Sequence, residues 1–357
     1  MLAQISKLFG IMSTALLIAL LCGPLAIGIA KKFNFLDVPG SSAHKKHQTV
    51  TPLAGGILMS LSLGIMVLVF PIWDKPISII VALSSILLVF GLADDAKGLS
   101  AWQKLIGQFI ASVLLIYLDV SVHFMRNIDL SQWLSPAVLS TLDWVVTILW
   151  FVGITNAFNL VDSMDGLAVG IAAIAFSFFT IMAFASGQWA VALFSATCLG
   201  VSIGIFFYNS NPALFFLGDA GALMLGFFLA SIGMLYTPPA HIPQQSSWFT
   251  PIMILGYPIF DTTLVVISRI RRRQPVFKAD RAHFFHRMCR WGVPSAKAVT
   301  IVHFICIFLG VTAVFSLLQP PLIANGIFGF LVFAGMLSIL CMEFIPAFAI
   351  PHDHIQE

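Results

Sequence analysis

Charge is scarce in this sequence. Only 9% of its 357 residues are Asp, Glu, Lys or Arg, while 59% are hydrophobic. A soluble protein of this length could not cover its surface with so few ionised groups. The mean hydropathy of +0.99 points the same way. Cysteine is sparse too: Cys22, Cys198, Cys289, Cys306 and Cys341 have neither metal-ligand spacing nor a pairing pattern. That argues against a structural zinc site and a disulfide framework, and the five are expected to be ordinary buried residues. Low-complexity tracts and a soluble domain are also missing, and the longest polar stretch is 269–297.

What the sequence does have is long apolar runs. A helix crosses a bilayer with about 20 apolar residues. Eleven runs fit, at 8–30, 52–71, 76–93, 103–121, 139–157, 166–186, 189–208, 218–236, 248–268, 298–317 and 322–345. The expected fold is therefore an all-α polytopic membrane protein of eleven transmembrane helices, forming a single domain over 1–357. The first run has Lys7 as a charged flank, as a signal peptide would. It is too long for one, and Leu20-Leu21 before Cys22 lacks the small residues of a cleavage site, so it is expected to be a helix.

Orientation follows from the basic residues. Fifteen of the 18 Lys and Arg fall in the connections from odd to even spans; Lys7, Lys75 and Arg126 fall on the other side. The positive-inside rule puts the rich side in the cytoplasm, with the amino terminus outside and the carboxyl terminus inside. Topology thus accounts for the cations, and with a net charge of only +3 a nucleic-acid partner is not expected.

The unusual residues gather on that same side. Asp94-Asp95 ends the third run, Gly218-Asp219-Ala220-Gly221 opens the eighth, and between them residues 156–166 carry Asn156, Asn159, Asp162 and Asp165 at every third position. His283 and His286, and His44, Lys45, Lys46 and His47, lie in further connections of that face, whereas Asp74, Asp119, Asp129 and Asp143 are scattered on the other. Carboxylates are costly at membrane depth, and several at the ends of apolar segments suggest a reaction centre. An ion path would also need polar groups near the midplane, where only Asp261 stands.

Local roles compete with that interpretation. Asp94 and Asp95 sit at a helix carboxyl end, where the dipole disfavours anions, so a helix-end role explains them poorly. Asp162 or Asp165 could cap the sixth span, which explains one of the two. Asp219 could cap the eighth; equally, a carboxylate with open backbone amides at a helix amino terminus suits a metal–phosphate pair. Asp261 could serve function or merely join helices. Arg271-Arg272-Arg273 has the character of a topology anchor.

Together these motifs resemble the polyprenyl-phosphate N-acetylhexosamine-1-phosphate transferases, most nearly the bacterial undecaprenyl-phosphate N-acetylglucosamine-1-phosphate branch. The matching pieces are Asp37-Val-Pro39, Lys45-Lys46-His47-Gln48, Pro52 to Gly56, Gly91 to Asp95, Asn156 to Gly170, Phe216 to Phe227, Pro258 to Thr262, and Asp280-Arg281-Ala-His283-Phe-Phe-His286-Arg287. They run in the family's order over residues 35–290. Phe285 stands where the family usually has histidine, Ser163 where it has glycine and Ala222 where it has serine. The segment before Pro52 lacks the Gly-Thr-Pro-Thr-Met-Gly-Gly run of the muramoyl-pentapeptide transferases, which favours the amino-sugar branch over peptidoglycan synthesis.

The resemblance implies a reaction. A UDP-N-acetylhexosamine would donate its sugar phosphate to undecaprenyl phosphate, releasing UMP, at the cytoplasmic face of the bacterial inner membrane. This would be the first membrane step of an O-antigen, common-antigen or teichoic-acid polysaccharide. It implies Mg²⁺, with Mn²⁺ as the alternative, held by Asp219 and Asn159, and Asp94 orienting the acceptor phosphate with Asp95 behind it. Asp162 and Asp165 would contact the nucleoside or the water shell of the metal, and Phe216 would stack on uracil. Lys45, Lys46, His47, Asn156, Arg281, His283 and His286 would hold the rest of the donor. The site is then built from connections 31–51, 94–102, 157–166, 209–217 and 269–297, and a homodimer is compatible with it. Two alternatives stay open: the pentapeptide transferase, and, from another class, a transporter or flippase for a phosphorylated lipid. Internal repeats and broken midplane helices would mark the latter, and neither is evident in the sequence.

Overall fold

The computed structural model describes residues 1–38, 50–70, 73–121, 134–238, 242, 247–275 and 282–345. Within them the chain is almost wholly helical. The helices are α1 (Leu2–Lys32), α2 (Gly55–Val69), α3 (Lys75–Lys97), α4 (Ala101–Tyr117), α5 (Pro136–Val161), α6 (Leu167–Ala185), α7 (Trp189–Asn209), α8 (Gly218–Leu235), α9 (Thr250–Ile254), α10 (Gly256–Arg271), α11 (Phe284–Arg290), α12 (Ser295–Leu317) and α13 (Pro321–Phe344). Two short strands, β1 (Leu36–Asp37) and β2 (Thr51–Pro52), pair antiparallel.

Eight of these helices are long and apolar enough to cross a bilayer: α1, α3, α5, α6, α7, α8, α12 and α13. The expected second and fourth spans are shorter apolar helices, α2 and α4. The expected ninth is interrupted at Leu255 between α9 and α10. Several ends differ from expectation because polar residues continue the helical hydrogen bonding beyond the apolar run. α3 continues through Asp94-Asp95 to Lys97, and α5 runs to Val161, so Asn159, expected in a connection, is helical like Asn156.

Side-chain caps set several starts. Asp74 accepts from Ile77 N–H at 3.0 Å to begin α3, and Ser100 and Gln103 form a reciprocal capping box at α4. Asp74 therefore has a local structural role. Asp143, expected in a connection, is buried on α5.

α8 is the axis of the assembly. Fifteen of its 18 residues are buried, against α2, α3, α5 and α6. Hydrocarbon is as apolar as leucine, so helices in a bilayer associate through close packing of small residues rather than by hydrophobic drive. α8 provides Gly221, Ala222, Gly226, Ala230 and Gly233. At its amino end Ala220 lies so close to α2 and α3 that a side chain at Gly56 or Gly91 would collide with it. The amino terminus of α8 is thereby wedged between the start of α2 and the end of α3.

Candidate active site

The wedge brings Asp95 to the start of α8. Asp95 Oδ1 accepts the Asp219 N–H at 2.8 Å, and Oδ2 accepts the Ala220 N–H at 3.3 Å. Asp95 thus caps α8 from another helix. Gly218, at φ 73°, makes this possible: a Cβ there would stand 2.9 Å from Asp95 Oδ2 and in a strained backbone region. The backbone amides expected to be open for phosphate at this terminus are therefore engaged by Asp95, because a cap from α3 reaches them first. Asp219 is not the cap; it lies in the first helical turn and its carboxylate meets Asn159 and Lys104 instead.

Around Asp219 the polar residues of three other helices meet. Asn159 Nδ2 on α5 donates to Asp219 Oδ1, and Lys104 Nζ on α4 lies 3.4 Å from the same oxygen. Lys104 also pairs with Asp94, which is buried at 6% exposure. Asp94 Oδ1 accepts the Leu99 N–H at 2.6 Å. An anion at a helix carboxyl end and a cation at the start of α4 each oppose the dipole of their own helix. Paired across the α3–α4 turn, they compensate one another.

Asp162 and Asp165 follow α5. Neither caps α6, whose N-cap is Gly166; Asn209 of α7 accepts the Gly166 N–H instead, at 3.1 Å. Asn209 Nδ2 also donates to Phe215 O at 3.1 Å, and Asn211 Nδ2 donates to Asp165 Oδ2 at 3.3 Å. These two asparagines tie the acidic turn to the segment carrying Phe216. Phe216 itself is placed by backbone pairing: its N–H donates to Pro52 O at 2.9 Å, and its carbonyl accepts from Ala54 N–H at 3.1 Å. Its ring is half-buried. Desolvation pushes the Asp162 carboxyl well above the usual carboxylate range, and the negative charges of Asp219, Asp95 and Asp165 push it further.

The imidazoles form a second group. His283 Nδ1 is 2.7 Å from Asp261 Oδ2, and Asp261 Oδ1 accepts the Phe284 N–H at 2.7 Å. Asp261, which the sequence left open, therefore holds the start of α11 and orients His283. Phe285 is fully buried, stacked on His283 at 5.7 Å and against His286 at 4.2 Å. Lys45, Lys46, His47 and Arg281 lie outside the described residues.

Acids exceed cations at this site. Asp94, Asp95, Asp162 and Asp219 interact electrostatically, with Lys104 paired among them. That imbalance suits a divalent cation. No set of three or more His, Cys, Asp or Glu poised to hold a metal occurs among the described residues. The fit is to an ion such as Mg²⁺, which keeps waters and substrate oxygens in its shell and takes one or two protein carboxylates. Asp219 is placed for this. Asn159 presents its amide nitrogen toward Asp219, so ligation through its oxygen requires the amide to turn over.

Sequence reasoning counted Lys104 only as a topology cation and gave Asn209 and Asn211 no role. The signal for Lys104 was available: a lysine opening a helix that follows an Asp-Asp pair closing one is doubly unfavourable unless the two meet. Asn209 and Asn211 carried no such signal.

Fold and site define a multi-pass membrane protein with an acid-rich polar site at one end of its helix bundle. Residues 77–237 match the model of glycosyl transferase family 4. The chain is 31% identical over 304 residues to a probable undecaprenyl-phosphate N-acetylglucosaminyl 1-phosphate transferase of Bacillus subtilis (strain 168), covering 84% of this chain and 82% of that protein. It is also 31% identical over 305 residues to a phospho-N-acetylmuramoyl-pentapeptide-transferase of Lactobacillus gasseri, covering 80% and 91%. A protein of the same name from Bacillus cytotoxicus is 30% identical over 301 residues, covering 78% and 88%. The chain belongs to glycosyl transferase family 4 and is a phospho-sugar transferase of the polyprenyl-phosphate type.

Proposed function

We propose that the protein transfers N-acetylhexosamine 1-phosphate, with N-acetylglucosamine the first candidate, from a UDP-sugar to undecaprenyl phosphate and releases UMP. The observation that carries this is the meeting of Asp94, Asp95, Asn159, Asp162 and Asp219 with Lys104 where α3 and α5 end and α4 and α8 begin. By the distribution of basic residues that face is cytoplasmic, in the inner membrane of a bacterium, and the reaction opens the synthesis of a surface polysaccharide.

The acceptor phosphate is confined to the headgroup plane and the donor is soluble, so the two meet only at the bilayer edge. The acceptor oxygen forms a bond to the sugar-bearing phosphorus, and the bond to UMP breaks. A phosphate monoester loses its second proton near pH 6, so positioning matters more than deprotonation. Asp94, held by Leu99 N–H and Lys104, orients the acceptor, and Lys104 shields phosphate charge. Asp219, with Asn159 once its amide has turned over, would hold Mg²⁺ or Mn²⁺, which would supply charge neutralisation. Asp162 and Asp165 face the nucleoside or the water shell of the ion, and Phe216 lies under the uracil. His283 and His286, with Asn156, Arg281, Lys45, Lys46 and His47, contact the diphosphate and sugar. Asp95 acts by fixing the start of α8.

The comparable similarity to pentapeptide transferases supports a second reading, in which the donor carries a muramoyl pentapeptide. Its sequence signature before Pro52 is missing here, which favours the simpler amino sugar. The test is UMP release by detergent-solubilised protein given undecaprenyl phosphate and a panel of UDP-sugars. Turnover with UDP-N-acetylhexosamines and not with the muramoyl-pentapeptide donor is expected. The reverse preference selects the second reading. Transport of a lipid phosphate with no UMP release refutes both.

A further inference from the structure

α13 is the most loosely attached helix of the bundle. Of its 24 residues only Ala324, Ile339 and Glu343 are buried. Glu343 is a carboxylate one residue from the helix end, with its side chain fully shielded. A buried charge is costly unless paired and hydrogen-bonded. Two arginines pair it: Arg271 Nε donates to Oε2 at 2.6 Å, and Arg287 Nη2 pairs with Oε1.

Arg287 is itself 1% exposed and uses all three nitrogens. Nε donates to Ala282 O at 2.8 Å, Nη1 to Met342 O at 3.0 Å and Nη2 to Ser268 Oγ at 3.2 Å. Burial lowers its pKa while Glu343 opposes that shift. One guanidinium thus joins α13, α10 and the residue immediately before His283. On its other side His283 is gripped by Asp261. Arg271 and Arg287, which count as topology cations in the sequence, are here committed to a protein carboxylate.

We infer that Glu343 is a positioning residue for the His283–His286 segment, and that α13 serves the reaction by delivering this carboxylate. The inference rests on the transferase reading, in which those imidazoles contact the donor. Glu343 lies well beyond the residues 77–237 that match the family model. Removing its charge leaves Arg287 buried without a counter-ion. The guanidinium then turns outward and the hydrogen bond to Ala282 O is lost, which leaves the His283 imidazole to Asp261 and the Phe285 ring.

The test compares Glu343→Gln, Glu343→Asp, His283→Ala and the Glu343→Gln/His283→Ala double variant as full-length protein in detergent. One readout is steady-state UMP release. The other is hydrogen exchange across Phe284–Arg290. Glu343→Gln should lower kcat/KM for the UDP-sugar about tenfold, the scale of one charge-assisted hydrogen bond, without raising KM for undecaprenyl phosphate. Glu343→Asp should recover part of that loss. In the His283→Ala background the glutamine should cost less than about twofold, because both changes disable one unit. Exchange across Phe284–Arg290 should speed up in Glu343→Gln.

Equal fold-losses in both backgrounds would show that Glu343 merely tethers α13 and would overturn the inference. Unchanged exchange in a folded Glu343→Gln protein would overturn it too. If wild-type protein releases no UMP from any donor, the transferase reading fails, while the exchange measurement still decides whether Glu343 holds the segment.

Discussion

Lys104 offers the sharpest test of the site, because its replacement should move two quantities in opposite directions. Its Nζ is 3.4 Å from Asp219 Oδ1 and paired with Asp94. At that separation two unit charges interact by about 1 kcal/mol in bulk water and about 5 kcal/mol at an effective dielectric constant of 20. The side chain is 25% exposed, so screening favours the lower part of that range. Lys104 competes with a divalent ion for Asp219, and removing about 1.4 kcal/mol of competition strengthens ion binding about tenfold. Phosphate loses a charged donor at the same time, which costs about 1.5–3 kcal/mol, or one to two orders of magnitude in rate. Lys104→Gln should therefore bind Mg²⁺ about tenfold tighter while kcat/KM falls about 10–100-fold. Isothermal titration with Mg²⁺ and steady-state UMP release read the two effects separately. An unchanged rate with unchanged Mg²⁺ affinity in the folded variant would remove Lys104 from the site. A rate loss accompanied by weaker Mg²⁺ binding would mean that the variant has disordered Asp219 rather than released it.

Three further outcomes are expected. Chelation should abolish turnover and added Mg²⁺ or Mn²⁺ restore it, while Asp219→Asn stays inactive at saturating metal; full activity in EDTA would refute the metal assignment. Asp162 has a raised pKa in the fold, so its ionised form opposes folding: metal-free stability is greatest below the ordinary carboxylate range and declines as pH rises toward the raised value. Asp162→Asn should remove that component and melt higher than wild type in EDTA at neutral pH, with activity reduced; a lower melting temperature would contradict the assigned repulsion. Phe285→His restores the residue usual in the family, and on sequence grounds it would be tolerated. Because Phe285 is fully buried between His283 and His286, it should instead lower stability by about 1–3 kcal/mol, read as a depressed melting temperature; an unchanged melting temperature would place the ring outside the core of that segment.

Much of the architecture is written in the sequence because the bilayer is a simple solvent. It demands helices and about 20 apolar residues per crossing, so run length located apolar helices, though of the eleven expected spans eight are long enough to cross, two are shorter and the ninth is broken at Leu255; the cost of burying carboxylates singled out Asp94, Asp95, Asp162, Asp165 and Asp219. Other properties were invisible because lipid tails and leucine are equally apolar, and an apolar run does not say which helix it will touch. Only the tertiary structure made α8 the axis, through Ala220 fitted against Gly56 and Gly91. Only it assigned partners across long separations: Asp95 became the cap of α8, Lys104 the counter-ion of Asp94 and Asp219, Asp261 the anchor of His283, and Glu343 the counter-ion of Arg271 and Arg287. Residue type and local period reveal that a charge is misplaced in its own helix. Which opposite charge relieves it depends on packing between segments far apart in the chain, and that is settled when the helices close around α8.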